Sequence, residues 1–147
     1  MARPSSDVVV KTTFSIEIAA TATGWLDVIP LDILGVRGRI VSVKMRQDSG
    51  GDITTADIFI ADRSLAPMTA TDPPDEYVVL KYPSTTCTPS DTDAFMEEYP
   101  EADGNGYYYC ATDGDIALGI NIIAVGGNGP STLTVDIIAK SQGNVRY

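Results

Sequence analysis

No histidine occurs among the 147 residues, so the commonest general base and metal ligand is missing, and Ser-His-Asp and Cys-His constellations are excluded. The two cysteines, Cys87 and Cys110, cannot fill a tetrahedral zinc site without an imidazole to complete it. In a chain folded in a cytoplasm they are expected as free thiols; the alternative is one disulfide, if the loop around Cys87 lies beside the strand carrying Cys110. Paired carboxylates can hydrolyse glycosides, and Glu97 with Glu98, or Asp91 with Asp93, are the pairs to consider. Adjacent acids in a polar loop are ordinarily solvated surface, so no catalytic residue is assigned and the chain is read as not an enzyme. No Walker loop and no strand-to-helix GxGxxG is present, so no nucleotide cofactor, and no other cofactor, is expected.

Other chemistry could sit in the turns. Calcium takes six to eight oxygens, and Asp103 and Asn105, with Asp113 and Asp115, stand in glycine-containing stretches that could supply some of them. Neither stretch matches an EF-hand loop and both read as ordinary turns, so no metal is assigned. Trp25 and Tyr107-Tyr108-Tyr109 could make an aromatic platform for a sugar, although on a strand Tyr108 points away from its two neighbours. The segment 71–103 holds nine of the 20 carboxylates against one base, Lys81, together with Tyr77, Tyr82, Phe95, Met96 and Tyr99. Aromatic residues among acids suit a recognition tip; a loop held down by its own aromatic residues is the blander reading.

The net charge of −10 argues against a general nucleic-acid binder, which needs a basic stripe to displace counterions from phosphates. Anionic membranes are disfavoured on the same ground, and no apolar run approaches the ~20 residues of a spanning helix. The start, Met1 to Asp7, has no apolar core of a secretory signal. Arg37, Arg39, Lys44 and Arg46 form a local exception to the acidity: they could meet an acidic partner surface, or be one solvated strand face.

The elements that must position these residues are strands. Alternation with period two recurs along the chain, and amphipathic helical periodicity does not. Strands are predicted at 8–18, 25–29, 36–47, 53–61, 77–82, 107–112, 115–125 and 131–140. Asp48-Ser49-Gly50-Gly51-Asp52 and Gly126-Gly127-Asn128-Gly129-Pro130 have hairpin chemistry. The strand at 115–125 is apolar on both faces, which predicts a central position or a subunit contact. A long acidic loop is expected at about 83–106, with a short helix at 92–99 capped by Asp91 and stopped by Pro100. Eight short strands with turns between them predict an all-β fold: one eight-stranded antiparallel β-sandwich over 1–147, jelly-roll-like, with 1–6 and 141–147 as flexible or partner-ordered arms.

The chain resembles the small accessory proteins of tailed-bacteriophage virions, namely capsid decoration or cement proteins and related sandwich domains of head or tail fibres. The resemblance lies in the Ser/Thr/Asp-rich start, the first strand Lys11-Thr12-Thr13-Phe14-Ser15-Ile16-Glu17-Ile18-Ala19-Ala20, and the closing Gly-Gly-Asn-Gly turn. It covers most of the chain without a diagnostic motif. It implies a non-enzymatic structural protein of the virion, made in the host cytoplasm, commonly a homotrimer, sitting on the capsid surface against the major capsid protein or another virion protein. It transfers no individual residue. From the residues themselves, partner contacts are placed at Arg3, Arg37, Arg39, Tyr99, Ile123 and Val125. A carbohydrate- or receptor-binding module is the alternative function.

Overall fold

The alternation of residues 8–18 becomes strand β1 (Val8–Ile18), whose even positions from Val10 to Ile18 face the interior while Val9, Lys11, Thr13, Ser15 and Glu17 are exposed. The computed structural model describes residues 8–19, 23–26, 29–61, 78–100, 107–111, 116–126 and 130–141. After β1 come β2 (Gly24–Trp25), β3 (Ile29–Pro30), a 3₁₀ turn (Asp32–Leu34), β4 (Arg37–Gln47), β5 (Ile53–Ala61), β6 (Val78–Thr86), β7 (Met96–Glu98), β8 (Tyr107–Cys110), β9 (Ala117–Val125) and β10 (Ser131–Ser141).

These make two five-stranded antiparallel sheets. In the first, which we call sheet A, the order is β1-β10-β4-β7, with β8 also on β4; in sheet B it is β2-β9-β5-β6, with β3 also on β9. β9 is central in sheet B, between β5 on one side and β2 and β3 on the other. Its inner residues Leu118, Ile120 and Ile122, with Ile116 just before them, enter a core completed by Ile40, Val43 and Met45 of β4, Ile58 and Ile60 of β5, and Leu133, Val135 and Ile137 of β10. Each such side chain contributes ~1.5–3 kcal/mol by leaving water, which is why the inner face of the strands is so uniformly aliphatic.

Several sequence expectations are corrected. Among the described residues ten strands stand where eight were expected. One addition arises because the predicted strand at 25–29 is two short pieces, β2 and β3, pairing with successive stretches of β9. The other arises because the predicted helix at 92–99 is absent: Met96–Glu98 pair with Val43–Met45 as β7, after Phe95 N–H donates to the Met45 carbonyl at 2.9 Å. Two turns of helix are marginal on their own, whereas the open edge of β4 offers a ladder. The capping chemistry is used otherwise: Ser90 Oγ accepts from Thr92 and Asp93 N–H at 3.2 and 2.9 Å, and Asp91 Oδ1 accepts from Ser49 N–H at 3.0 Å.

Neither glycine-rich turn closes a hairpin. Residues 48–52 carry the chain from β4 in sheet A to β5 in sheet B, and 126–130 carry it from β9 in sheet B to β10 in sheet A. The predicted loop at 83–106 begins later, since β6 runs to Thr86. Pro83 is accommodated there because β6 is an outer strand with a register break: Ser84 takes φ 50° and its N–H donates to Asp57 Oδ1 at 2.8 Å. The predicted arms at 1–6 and 141–147 lie outside the described residues except Ser141, which is buried and closes β10.

Candidate protein interface

Strict alternation would send Arg37 and Arg39 to one face of β4 and Lys44 and Arg46 to the other. A β-bulge prevents this. Ile138 and Ala139 of β10 stand opposite Ser42 and Ile40, so Val41 is the extra residue. Before it the inward positions are Gly38 and Ile40; after it they are Val43, Met45 and Gln47. All four cations therefore share the outer face of sheet A. Lys140 stands opposite Arg39, and Lys11 of β1 occupies the same face. The outer rows of this sheet hold six of the chain's ten cations against three carboxylates, Glu17, Glu97 and Asp136. In a chain of net charge −10 that is a strong local reversal of sign.

The face is organised locally. Asp136 lies 3.6 Å from Lys11 Nζ and accepts from Thr13 Oγ1 at 2.6 Å. Lys44 Nζ is 3.6 Å from Glu97 and 6.0 Å from the centre of the Tyr99 ring. A hydrogen bond with Tyr99, helped by the nearby Glu97 charge, holds the Lys44 ammonium above its ordinary pKa. Arg46 donates to the Ser90 carbonyl at 3.3 Å. Between these groups is a shallow cleft of about 240 Å³ bordered by Lys44, Arg46, Glu97, Thr134 and Asp136. Chemically such a face can attract carboxylates, and Tyr99 and Tyr108 (44% and 54% exposed) stand at its margin.

Two buried clusters hold β4 in place. At one end Gln47, fully buried, saturates its side-chain amide: Nε2 donates to the carbonyls of Ile53 and Cys87, and Oε1 accepts from Ile53 N–H at 2.9 Å. Gly51 must be glycine there, since a Cβ would come within 2.5–2.7 Å of the Gln47 side chain. Asp48 and Asp52 tie the same turn to β10, with Asp48 Oδ1 accepting from Thr132 N–H at 2.7 Å and Asp52 N–H donating to Ser131 Oγ at 2.9 Å. At the other end the Tyr109 hydroxyl and Ser141 Oγ both donate to the Leu34 carbonyl, at 2.5 and 2.7 Å. Gly38 permits that convergence: a Cβ would come within 2.7 Å of the Tyr109 hydroxyl and 2.9 Å of the Ser141 Cα. Sequence reading did not find these clusters. For Gln47 a signal existed, a lone amide on the inward parity of a strand directly before a turn.

The remaining candidates are dispersed. Arg3, and the calcium positions Asp103, Asn105, Asp113 and Asp115, lie outside the described residues. Ile123 is 47% exposed on the outer face of sheet B, while Val125 packs against the core, so the two do not form one patch. Glu97 and Glu98 are successive residues of β7 and point to opposite sides. Among the described residues no three His, Cys, Asp or Glu side chains cluster as metal ligands. The aromatic platform is divided: Trp25 is in sheet B, 5.4 Å from Phe59 at an interplanar angle of 31°, and Tyr107 to Tyr109 are in sheet A, with Tyr109 fully buried. Both cysteines are free thiols. Cys110 stands opposite Arg37 and the Cys87 carbonyl meets Gln47, so nearly the whole length of β4, roughly 30 Å at ~3.4 Å per residue, separates their backbones; a disulfide needs Cα atoms within ~7 Å.

No family model matches the chain, and no curated protein matches it. Among solved structures it is similar to a chain of the cyanophage Pam1 capsid asymmetric unit, with 14% sequence identity, a TM-score of 0.56, and coverage of 96% of this chain and 90% of that one. A chain of the tomato aspermy virus structure aligns with 13% identity and a TM-score of 0.39 over 95% of this chain and 80% of that one. At such identity what is shared is fold: a nearly all-β, antiparallel two-sheet architecture also found in a viral capsid assembly.

Proposed function

We propose that the chain is a non-enzymatic structural protein of a virion, a decoration or cement protein that docks on the capsid surface through the outer face of sheet A. The observation that carries this reading is the β4 bulge, which gathers Arg37, Arg39, Lys44 and Arg46 on one face of an otherwise acidic molecule. Such a surface steers and orients an acidic protein partner, and the major capsid protein is the partner proposed. The fold shared with a capsid chain supports the same role. Treating β2 with β3, and β7 with β8, as one strand position each leaves four positions per sheet, and the chain alternates between sheets at every link except β5–β6. That order supports a jelly roll, formed by one domain over 1–147, made in the host cytoplasm and assembled as a homotrimer.

The test is quantitative mass spectrometry of gradient-purified virus particles from the source that encodes the chain. It is expected in copy numbers comparable to the major shell protein and is expected to be released by raised salt, because the proposed contact is ionic. Its absence from washed particles would refute the reading. A second reading, a carbohydrate- or receptor-binding module, rests on Trp25 standing opposite Asn121 on the outer face of sheet B; it requires glycan binding that is lost in Trp25→Ala.

A further inference from the structure

A sheet edge is a row of unpaired backbone groups, and proteins blunt such rows with short strands, proline or bulges. Three of the four edges here are blunted. The β2/β3 edge consists of two-residue strands and contains Pro30; β7 and β8 are three and four residues long; β6 contains Pro83, a positive-φ Ser84 and two register breaks. β1 is different. It runs for eleven residues without proline or glycine, is in unbroken register with β10 from Val8 to Ile18, and among the described residues nothing pairs with its other side. Its inward residues Val10, Phe14 and Ile16 are only partly covered, and Val9 is 69% exposed.

The charges on β1 are arranged about its middle. Lys11 and Glu17 lie three positions on either side of Phe14 on the outer row, with Thr13 and Ser15 between them. If a second copy of β1 is laid antiparallel about a two-fold axis through Phe14, Lys11 stands opposite the second copy's Glu17 and its Glu17 opposite Lys11. Thr13 then meets Ser15, Phe14 meets Phe14, and Val9 meets Ala19. Opposite charges and aromatic pairs directly across a ladder are favourable. A one-residue slip puts each outward side chain opposite an inward one, and two-residue slips lose the ion pairs. The charges that deter pairing with other strands thus favour pairing with the same strand reversed.

We propose that β1 is a self-association edge, joining two copies of the chain antiparallel through an isologous β1–β1 contact that makes sheet A continuous across the pair. This goes beyond the virion reading and does not depend on it. Two of the proposed homotrimers joined face to face through their three β1 edges make a hexamer, and chains without a three-fold contact make a dimer; in both cases the mass is an even multiple of the chain.

Multi-angle light scattering across a concentration series tests this. Wild type is expected at an even multiple of the chain mass, while Lys11→Glu and Glu17→Lys each give half that mass, because each places like charges opposite one another twice. Mixing the two variants in equal amounts restores the wild-type mass, since every crossing pair is then opposite in sign, and the double variant Lys11→Glu/Glu17→Lys restores it too. That rescue also shows that the single variants are folded. Glu17→Lys is the cleaner of the two, because Lys11 also faces Asp136. An odd oligomer, a monomer at all concentrations, or a wild-type mass unchanged in both single variants overturns the proposal. Incorporation into particles is read separately, so either result stands without the other.

Discussion

Gln47 shows how one polar side chain can join three segments. Its amide serves two groups of Ile53 and the carbonyl of Cys87, all shielded from water, and an unpaired buried group costs ~1–3 kcal/mol. Gln47→Leu keeps the bulk and strands those groups, so it is expected to lower unfolding free energy by about 2–4 kcal/mol in urea titrations. By the same reasoning Tyr109→Phe should lose only about 1 kcal/mol, because Ser141 still donates to the Leu34 carbonyl. Burial pushes the Cys87 thiol up to about 12, so at neutral pH it stays protonated and shielded. Maleimide is expected to label Cys110 first and Cys87 only on unfolding, as peptide mapping would show. The sign of the linked pH effect follows. Below the unfolded thiol pKa of ~8.5 both states are protonated; above it only the unfolded state ionises, so stability declines with rising pH towards 12. That alkaline decline should be smaller in Cys87→Ala, provided melts are compared with each variant's own neutral value.

At the scale of elements, the bulge in β4 decides what the sheet presents. Deleting Val41, the one residue of this stretch without a partner in β10, would leave Ile40 opposite Ala139 and Ser42 opposite Ile138, restoring simple alternation with all four cations still on the outer face. That deletion, like Val41→Thr, is therefore expected to retain a cooperative thermal transition, as a melt followed by circular dichroism would show. The period-two pattern made β1, β9 and β10 legible because their alternation is unbroken or their apolar runs are long. The bulge left no such mark, since Val41, Ser42 and Val43 are all small or apolar and read equally well in either phase. β7 was illegible for another reason: its local signals favour a helix cap, and only the edge of β4, some 50 residues earlier, supplies the competing bonds. The turns at 48–52 and 126–130 were recognised as turns, but glycine-rich chemistry permits sharp reversal without specifying whether the next strand joins the same sheet.

For the whole molecule, the net charge is −10, and the fold separates that charge. Cations of both sequence parities arrive on sheet A because of one extra residue, and among the described residues the carboxylate-rich segment at 71–103 contributes only Glu97 to the outer rows of that face's strands. Docking through this face should weaken steeply with salt and with charge reversal there. The most direct measurement is the copy number of the chain per purified particle, by quantitative mass spectrometry, for wild type, for Arg39→Glu/Arg46→Glu, and for Lys81→Glu on the other sheet as a control. We expect near-stoichiometric wild type and Lys81→Glu and at least a tenfold loss for the sheet A variant. Equal incorporation of all three, or absence of the wild type from washed particles, would contradict the assignment of sheet A as the docking face of a virion protein.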